Sequence, residues 1–158
     1  MQTKNWRKLL FCVVAANAAD ADFLPGLFVG DIGYFHHKES HGVGFFVIFA
    51  LVVVLWIRFA QKKGDGLISA FTVASFLYFS HIVIDFFTFD KKVPYGLKFF
   101  WPFSNRFFVS PAPLFLEVLR GDFNILFGRH NLTAMAIELA VFLPAILAIR
   151  LLQRIGSQ

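Results

Sequence analysis

The chain has 158 residues, 58% of them apolar and only 16% charged, with 23 phenylalanines and a mean hydropathy of +0.66. A soluble domain carries about 45–50% apolar and about 25% charged residues, so this composition excludes an ordinary water-soluble domain. It points to one integral membrane domain over residues 1–158, with lipid as the solvent for much of its surface. The net charge of +5 does not signal nucleic acid, which is not expected as a partner. The basic residues gather as "KNWRK", "RFAQKKGD" and "RLLQR" beside apolar runs, as flanks that meet anionic headgroups do. The single cysteine, Cys12, lies in an apolar run and has no partner for an intrachain disulfide.

Four apolar segments follow in chain order, at about residues 9–19, 42–58, 66–89 and 131–150, and predict an all-α integral membrane protein with about four transmembrane helices. The first is short and runs at once into "DADFLPG". Its basic start, apolar run and "ANA" also match a secretory signal with a cleavage site. Retention is the expectation, because cleavage would free the acidic pair that follows from any fixed geometry. The second segment carries no charge before Arg58, whose long side chain can reach the interface. The third contains "SHIVIDFFTF", and the fourth carries one charge, Glu138. Between the last two lies a long connection with Pro94, Pro102, Pro111 and Pro113 and many aromatic residues. It reads either as a loop in the membrane interface or as one folded back on the helix ends.

With four spans, Lys4, Arg7 and Lys8, then Arg58, Lys62 and Lys63, then Arg150 and Arg154 share one side. The positive-inside rule makes that side cytoplasmic and puts "HHKESH" and the long connection on the periplasmic face.

Polar residues stand where lipid should be. His81 and Asp85 are four apart in the third segment, so on a helix they project from one face, one turn apart. Ionisable groups at that depth are expensive and face a partner or a wet cavity. Imidazole plus carboxylate is also the standard ligand set for zinc and related divalent ions. Alone, the pair reads equally well as a hydrogen bond fastening two helices. His36 and His41 suit a loop that enters a helix, and Asp20 and Asp22 end the first segment, where either alone would be a solvated cap. Topology brings all three pairs to one membrane face, and that convergence favours a metal site. Glu138 is a further candidate ligand, or a glutamate that fastens helices, while His130 beside Arg129 reads as solvated.

These motifs resemble a known family, the YdjM-like group of inner-membrane metal-dependent hydrolases, whose family name includes LexA-binding. Its pattern is D-x-D after a first apolar helix, then H-R-x-x-T-H-S, then S-H-x-x-x-D-x-x-T, and later an aromatic-proline turn. Here "DAD" supplies Asp20 and Asp22, and "HHKESHG" supplies His36, Ser40 and His41. "SHIVIDFFT" supplies Ser80, His81, Asp85 and Thr88, and "YGLKFFWPFS" supplies Gly96, Trp101 and Pro102. The likeness covers roughly residues 10 to 105. His37 stands where the family has arginine, Gly42 where it has serine, and Lys91 where a glycine follows the threonine. A looser likeness connects the order of acidic residue, histidines and H-x-x-x-D with zinc-dependent phospholipase C proteins.

The resemblance implies a hydrolase with a divalent metal ion, zinc first and manganese or magnesium next. His36, His41, His81 and Asp85 are the expected ligands, with one of Asp20 or Asp22 completing the set, and Glu138, beyond the stretch that the resemblance covers, is a further expected ligand. Asp20, Asp22, Ser40 and Thr88 form the expected catalytic set, with one carboxylate as general base and the two hydroxyls orienting ligands. His37, Lys91, Trp101 and Arg106 are expected to meet substrate, and Lys92 adds to the local charge. A site at a membrane face under an aromatic-proline loop suits an amphiphilic small molecule or membrane lipid, such as a lipid phosphoester. The expected place is the inner membrane of a bacterium, spanned several times. The competing readings are a non-enzymatic metal-binding or metal-transport protein and a structural bundle with a buried His–Asp pair. Association with LexA is implied by the family name alone.

Overall fold

The computed structural model describes residues 6–31, 33–60, 62, 66–91, 93–119 and 123–155. Of the residues named above, Lys4, Lys63 and Lys92 lie outside them. The chain divides into two compact units, Met1–Phe86 with Lys92–Ser110, and Phe87–Lys91 with Pro111–Gln158.

The first unit is built on α1 (Trp6–Ala16), α2 (Phe23–Phe28), α3 (Val43–Phe59) and α4 (Leu67–Phe86). Short 3-10 turns stand at Ala18–Asp22 and Glu39–His41. α1 stops at Asn17, whose side-chain amide turns back to donate to the Val13 carbonyl at 2.8 Å. The chain bends there by 60° before it continues through Ala18–Phe28. The first apolar segment is therefore a helix and then a tight acidic turn. α3 is rich in β-branched residues, which lowers helix propensity in water. In hydrocarbon a lone segment satisfies its own backbone only as a helix, and that requirement dominates.

α4 packs against both α1 and α3. Ala74, Tyr78 and Ile82, spaced by four, share its buried face. Tyr78 and Ile82 form the core with Ala19 and Leu97, against which Phe45, Phe46, Phe49, Phe86 and Phe99 pack. The outer faces stay apolar: Val47, Leu51 and Leu55 on α3 and Val73 and Phe76 on α4 are exposed. Apolar surface on this scale suits lipid.

The 93–110 stretch returns to the start of α3. Leu97 and Phe108 form an antiparallel bridge, and the carbonyls of Phe99 and Trp101 accept from the Val43 and Gly44 N–H groups, each at 2.8 Å. Those are among the donors that a helix N-terminus leaves unpaired. The approach needs glycine on α3: a Cβ on Gly42 would lie 2.7 Å from Trp101 Cβ, and one on Gly44 2.4 Å from Pro102 Cδ.

The second unit holds β1 (Thr88–Phe89), β2 (Phe115–Leu116), α5 (Phe123–Leu126) and α6 (Arg129–Ile155). β1 and β2 pair in parallel, Thr88 with Phe115 and Phe89 with Leu116. Phe115 stacks on Phe142 of α6, with ring centroids 5.7 Å apart. Asn131 exchanges two hydrogen bonds with the Leu119 backbone, both at 2.8 Å. His130, expected to be solvated, instead donates from Nε2 to the Glu117 carbonyl at 2.9 Å, since the 117–119 backbone lies beside it.

Among the described residues, α4 and α6, with 20 and 27 residues, are long and apolar enough to cross a membrane. Trp6–Ala16 and Ala18–Phe28 make a third candidate when the bent pair counts as one span, and α3 is shorter, at 17 residues. The fold is thus mostly helical with two or three candidate spans.

Candidate metal centre

Three helix ends of the first unit carry the polar residues. The break after α1 supplies Asp20 and Asp22, the loop before α3 supplies His36 and His41, and the last turns of α4 supply His81 and Asp85. The sequence alone does not hold them together; a chain of hydrogen bonds does. Tyr78 on α4 donates its hydroxyl to the Ser40 carbonyl at 2.8 Å, and Ser40 Oγ donates to Asp22 Oδ2 at 2.5 Å. Lys98 braces the same loop from the other side: its backbone N–H donates to the His37 carbonyl at 3.0 Å and its ammonium pairs with Glu39. Burial alone would raise the Glu39 pKa, but that ammonium outweighs it and holds the carboxyl below its ordinary value.

Asp85 Oδ2 lies 3.0 Å from His41 Nε2 and 3.1 Å from His81 Nε2. Asp20 Oδ1 lies 3.4 Å from His81 Nε2 and 3.8 Å from His41 Nε2. His41 Nε2, His81 Nε2 and Asp85 Oδ2 are nevertheless buried with no well-formed hydrogen bond among the described residues. These atoms converge on a point between them. A tetrahedral zinc with ligands at about 2.0–2.1 Å spaces neighbouring ligand atoms by about 3.3 Å, within the range seen here. Leaving such atoms unpaired is costly, and a cation between them removes the cost. Asp20, His41, His81 and Asp85 could therefore hold a metal ion.

The surroundings of His41 fit the same use. Its Nδ1 lies 3.0 Å from Ser40 Oγ and 3.3 Å from Asp22 Oδ2, so the ring is oriented through one nitrogen while the other faces the convergence point. Ligating histidines are ordinarily held in this way. Burial works to lower the His41 pKa, but the carboxylates of Asp22 and Asp85 outweigh it and raise it. The local field thus favours positive charge.

His36 sits beside this group. Its Nδ1 is 3.3 Å from Asp22 Oδ1 and 3.6 Å from Asp20 Oδ1. The ring lies between Phe23 and His37, at centroid distances of 4.3 and 4.0 Å. Burial pushes its pKa down to about 4, more than the Asp22 hydrogen bond raises it, which leaves a neutral imidazole at pH 7. Asp20, Asp22 and His36 form a second group able to hold an ion, and His36, His37 and His41 a third.

The remaining expected residues have surroundings of their own. His37 adopts φ 63°, a left-handed backbone that histidine tolerates better than most residues, and packs its ring on its two neighbours. Trp101 touches the start of α3 and sits near the Phe45 ring. Arg106 is exposed. Ser80 bonds back to the Leu77 carbonyl at 2.8 Å. Thr88, Lys91 and Glu138 belong to the second unit, where Thr88 lies in β1 and Lys91 pairs with Glu117 at 3.9 Å. Sequence reading missed Tyr78, Lys98 and Glu39. For Tyr78 a signal existed: it stands three residues before His81, on the same helical face.

No curated protein and no solved structure matches the chain. A family model described as YdjM inner membrane protein matches residues 1–156, so the chain belongs to the YdjM inner membrane protein family.

Proposed function

We propose that this inner-membrane protein is a metal-dependent hydrolase that cleaves an ester or phosphoester of an amphiphilic substrate at the periplasmic face. The observation that carries the reading is the convergence of His41 Nε2, His81 Nε2 and Asp85 Oδ2, buried and unpaired, beside the Asp20 carboxylate. A divalent cation held there, zinc by ligand type and manganese or magnesium next, supplies a polarising charge and water acidic enough to yield hydroxide near neutral pH. Asp22 and Ser40 fix the His41 ring, and Tyr78 fixes the Ser40 backbone. Asp20, with a third of its side chain exposed, stands at the open side, where substrate and water arrive.

The substrate class rests on a second feature. A pocket of about 310 Å³ beside the centre is lined by Ala18, Ala21, Pro25, Phe35 and Phe45, with Asp22, Glu39 and Ser40 at its polar part. An apolar wall leading to a polar point suits a molecule with a hydrocarbon tail and a hydrolysable head. Exposed Arg106 can attract a phosphate. Chain direction within the first unit supports the periplasmic side. The polar cluster stands at the end of α1, the start of α3 and the end of α4, whereas Arg7 and Lys8 stand at the start of α1 and Arg58 at the end of α3. A transport path is disfavoured, since Val43 to Ile57 offers no polar side chain.

The test uses the full chain in detergent, stripped with chelator, reloaded with zinc or manganese and incubated with radiolabelled bacterial lipid extract. The expected result is a released product that wild type gives and His81→Ala does not. Loaded wild type that releases nothing would remove the hydrolase reading and leave the metal centre; failure to retain any ion would remove both.

A further inference from the structure

We propose that α2 and the loop after it form an interfacial anchor, seated at the headgroup–acyl boundary of the leaflet nearest the polar cluster. The proposal rests on the membrane placement of the first unit and not on the hydrolase reading. Phe23 to Val29, "FLPGLFV", carries no polar side chain. Its inner face is occupied: Phe23 stacks on the His36 ring with centroids 4.3 Å apart, and Gly26 is buried. Leu24, Leu27 and Phe28, spaced by three and four, share the opposite face and are 61%, 58% and 91% exposed. A bare apolar face of this kind marks a partner surface. Lipid is the partner that the neighbouring helix indicates, because Leu9, Leu10, Val13 and Val14 of α1 are exposed as well.

The path of the chain sets the depth. The 60° bend after α1 turns α2 away from the axis of that helix. With six residues, α2 rises only about 9 Å, against about 30 Å of hydrocarbon core. Gly30 follows its end at φ 75°, the left-handed conformation that closes a helix C-terminus. Asp31 Oδ1 then accepts the Gly33 N–H at 3.0 Å, which tightens the turn back. By His36 the chain has returned to its starting point, with His36 Nδ1 3.3 Å from Asp22 Oδ1. A segment that leaves and rejoins one polar point does not reach the far leaflet. Helices that lie in an interface bury their apolar face by about 5–10 Å, which this excursion matches. Where it returns, Lys38 Nζ stands 3.8 Å from the centroid of the half-exposed Tyr34 ring. An amphipathic ring and a cation suit headgroup level beside anionic phosphate. The segment thus forms a wall between that leaflet and the pocket, which Pro25 lines.

The test measures depth in vesicles of phosphatidylethanolamine and phosphatidylglycerol. In a full chain carrying Cys12→Ser, single substitutions Leu24→Cys, Phe28→Cys and Leu51→Cys are labelled with an environment-sensitive fluorophore. Quenching by lipids spin-labelled at the headgroup is compared with quenching by lipids labelled near the end of the acyl chain. The headgroup label is expected to quench more strongly at positions 24 and 28, and the chain-end label at Leu51, halfway along α3. Stronger chain-end quenching at position 28, as at Leu51, would overturn the proposal in favour of a deep or spanning segment. Quenching by neither label would overturn it too, leaving water or protein on this face; energy transfer between separately labelled copies would then identify a second chain. Each variant is used only if its elution and helix content match wild type, and Leu27→Cys replaces Phe28→Cys if that variant fails.

Discussion

Two short stretches, "HHKESH" in the first unit and "RHN" in the second, present similar chemistry to a reader of the sequence. Each puts histidine beside a basic residue next to an apolar helix. In the second unit the polar groups of this stretch make ordinary bonds: His130 donates to a carbonyl at 2.9 Å, and Asn131 exchanges bonds of 2.8 Å with the Leu119 backbone. In the first unit the ring nitrogens of His41 and His81 lie 3.0–3.1 Å from a carboxylate oxygen without a well-formed hydrogen bond to it. Paired polar groups fasten a fold. Convergent, unpaired ones are arranged for something that sits between them.

The largest expected effect tests that contrast directly. His81→Ala and Asp85→Ala each remove an atom that no hydrogen bond accounts for, so retained zinc should fall to background in elemental analysis while helix content holds. Replacing a merely structural pair would leave metal content where it began and lower the unfolding midpoint instead. If His81→Ala retains zinc as wild type does, the contrast between the two regions loses its meaning.

Part of this was legible in the sequence. The i, i+4 spacing of His81 and Asp85 on a helix, and the cost of ionisable groups in hydrocarbon, suffice to single them out. Asp20, Asp22, His36 and His41 were legible as residue types, but their meeting required Asn17 to break α1 and Tyr78 to bind the Ser40 carbonyl. Tyr78 reads as one more aromatic in an aromatic chain, so its hydroxyl's role was hidden. The seating of the 98–102 turn on α3 depends on what Gly42 and Gly44 lack, over more than fifty residues of separation. No local pattern encodes that distance. Nor does one encode the pairing of β1 with β2, whose strands are two residues long.

Next in size is the carboxylate behind His41. Asp22→Asn keeps the shape but weakens the acceptor that orients the ring, and such changes typically cost about 10–100-fold in metal affinity. Competition with a fluorescent zinc chelator measures this. Unchanged affinity would mean that Asp22 does not act through His41, and would leave Ser40 as the orienting group.

A smaller effect is expected where the first unit is closed by packing. Gly44→Ala places a Cβ 2.4 Å from Pro102 Cδ, against a ring that cannot swing aside. Overpacking of this kind costs about 1–3 kcal/mol, seen as a lower midpoint in detergent denaturation. Because the same turn carries Lys98, which braces the loop of His36 to His41, weaker zinc retention should accompany the loss. A destabilised variant that keeps full zinc affinity would show that the turn supports the helix but not the site.

The smallest effect comes from the second region and bounds the comparison from below. His130→Ala removes one hydrogen bond, to the Glu117 carbonyl, from a half-buried position. Such a bond contributes about 0.5–1.5 kcal/mol, so the denaturation midpoint should fall slightly. Zinc retention should not move at all, since His130 already spends its Nε2 on a backbone acceptor. Measured beside His81→Ala, this variant removes the same side chain from the same kind of apolar helix. If metal follows histidine count rather than geometry, both variants lose it. If the unpaired convergence is what matters, only one does.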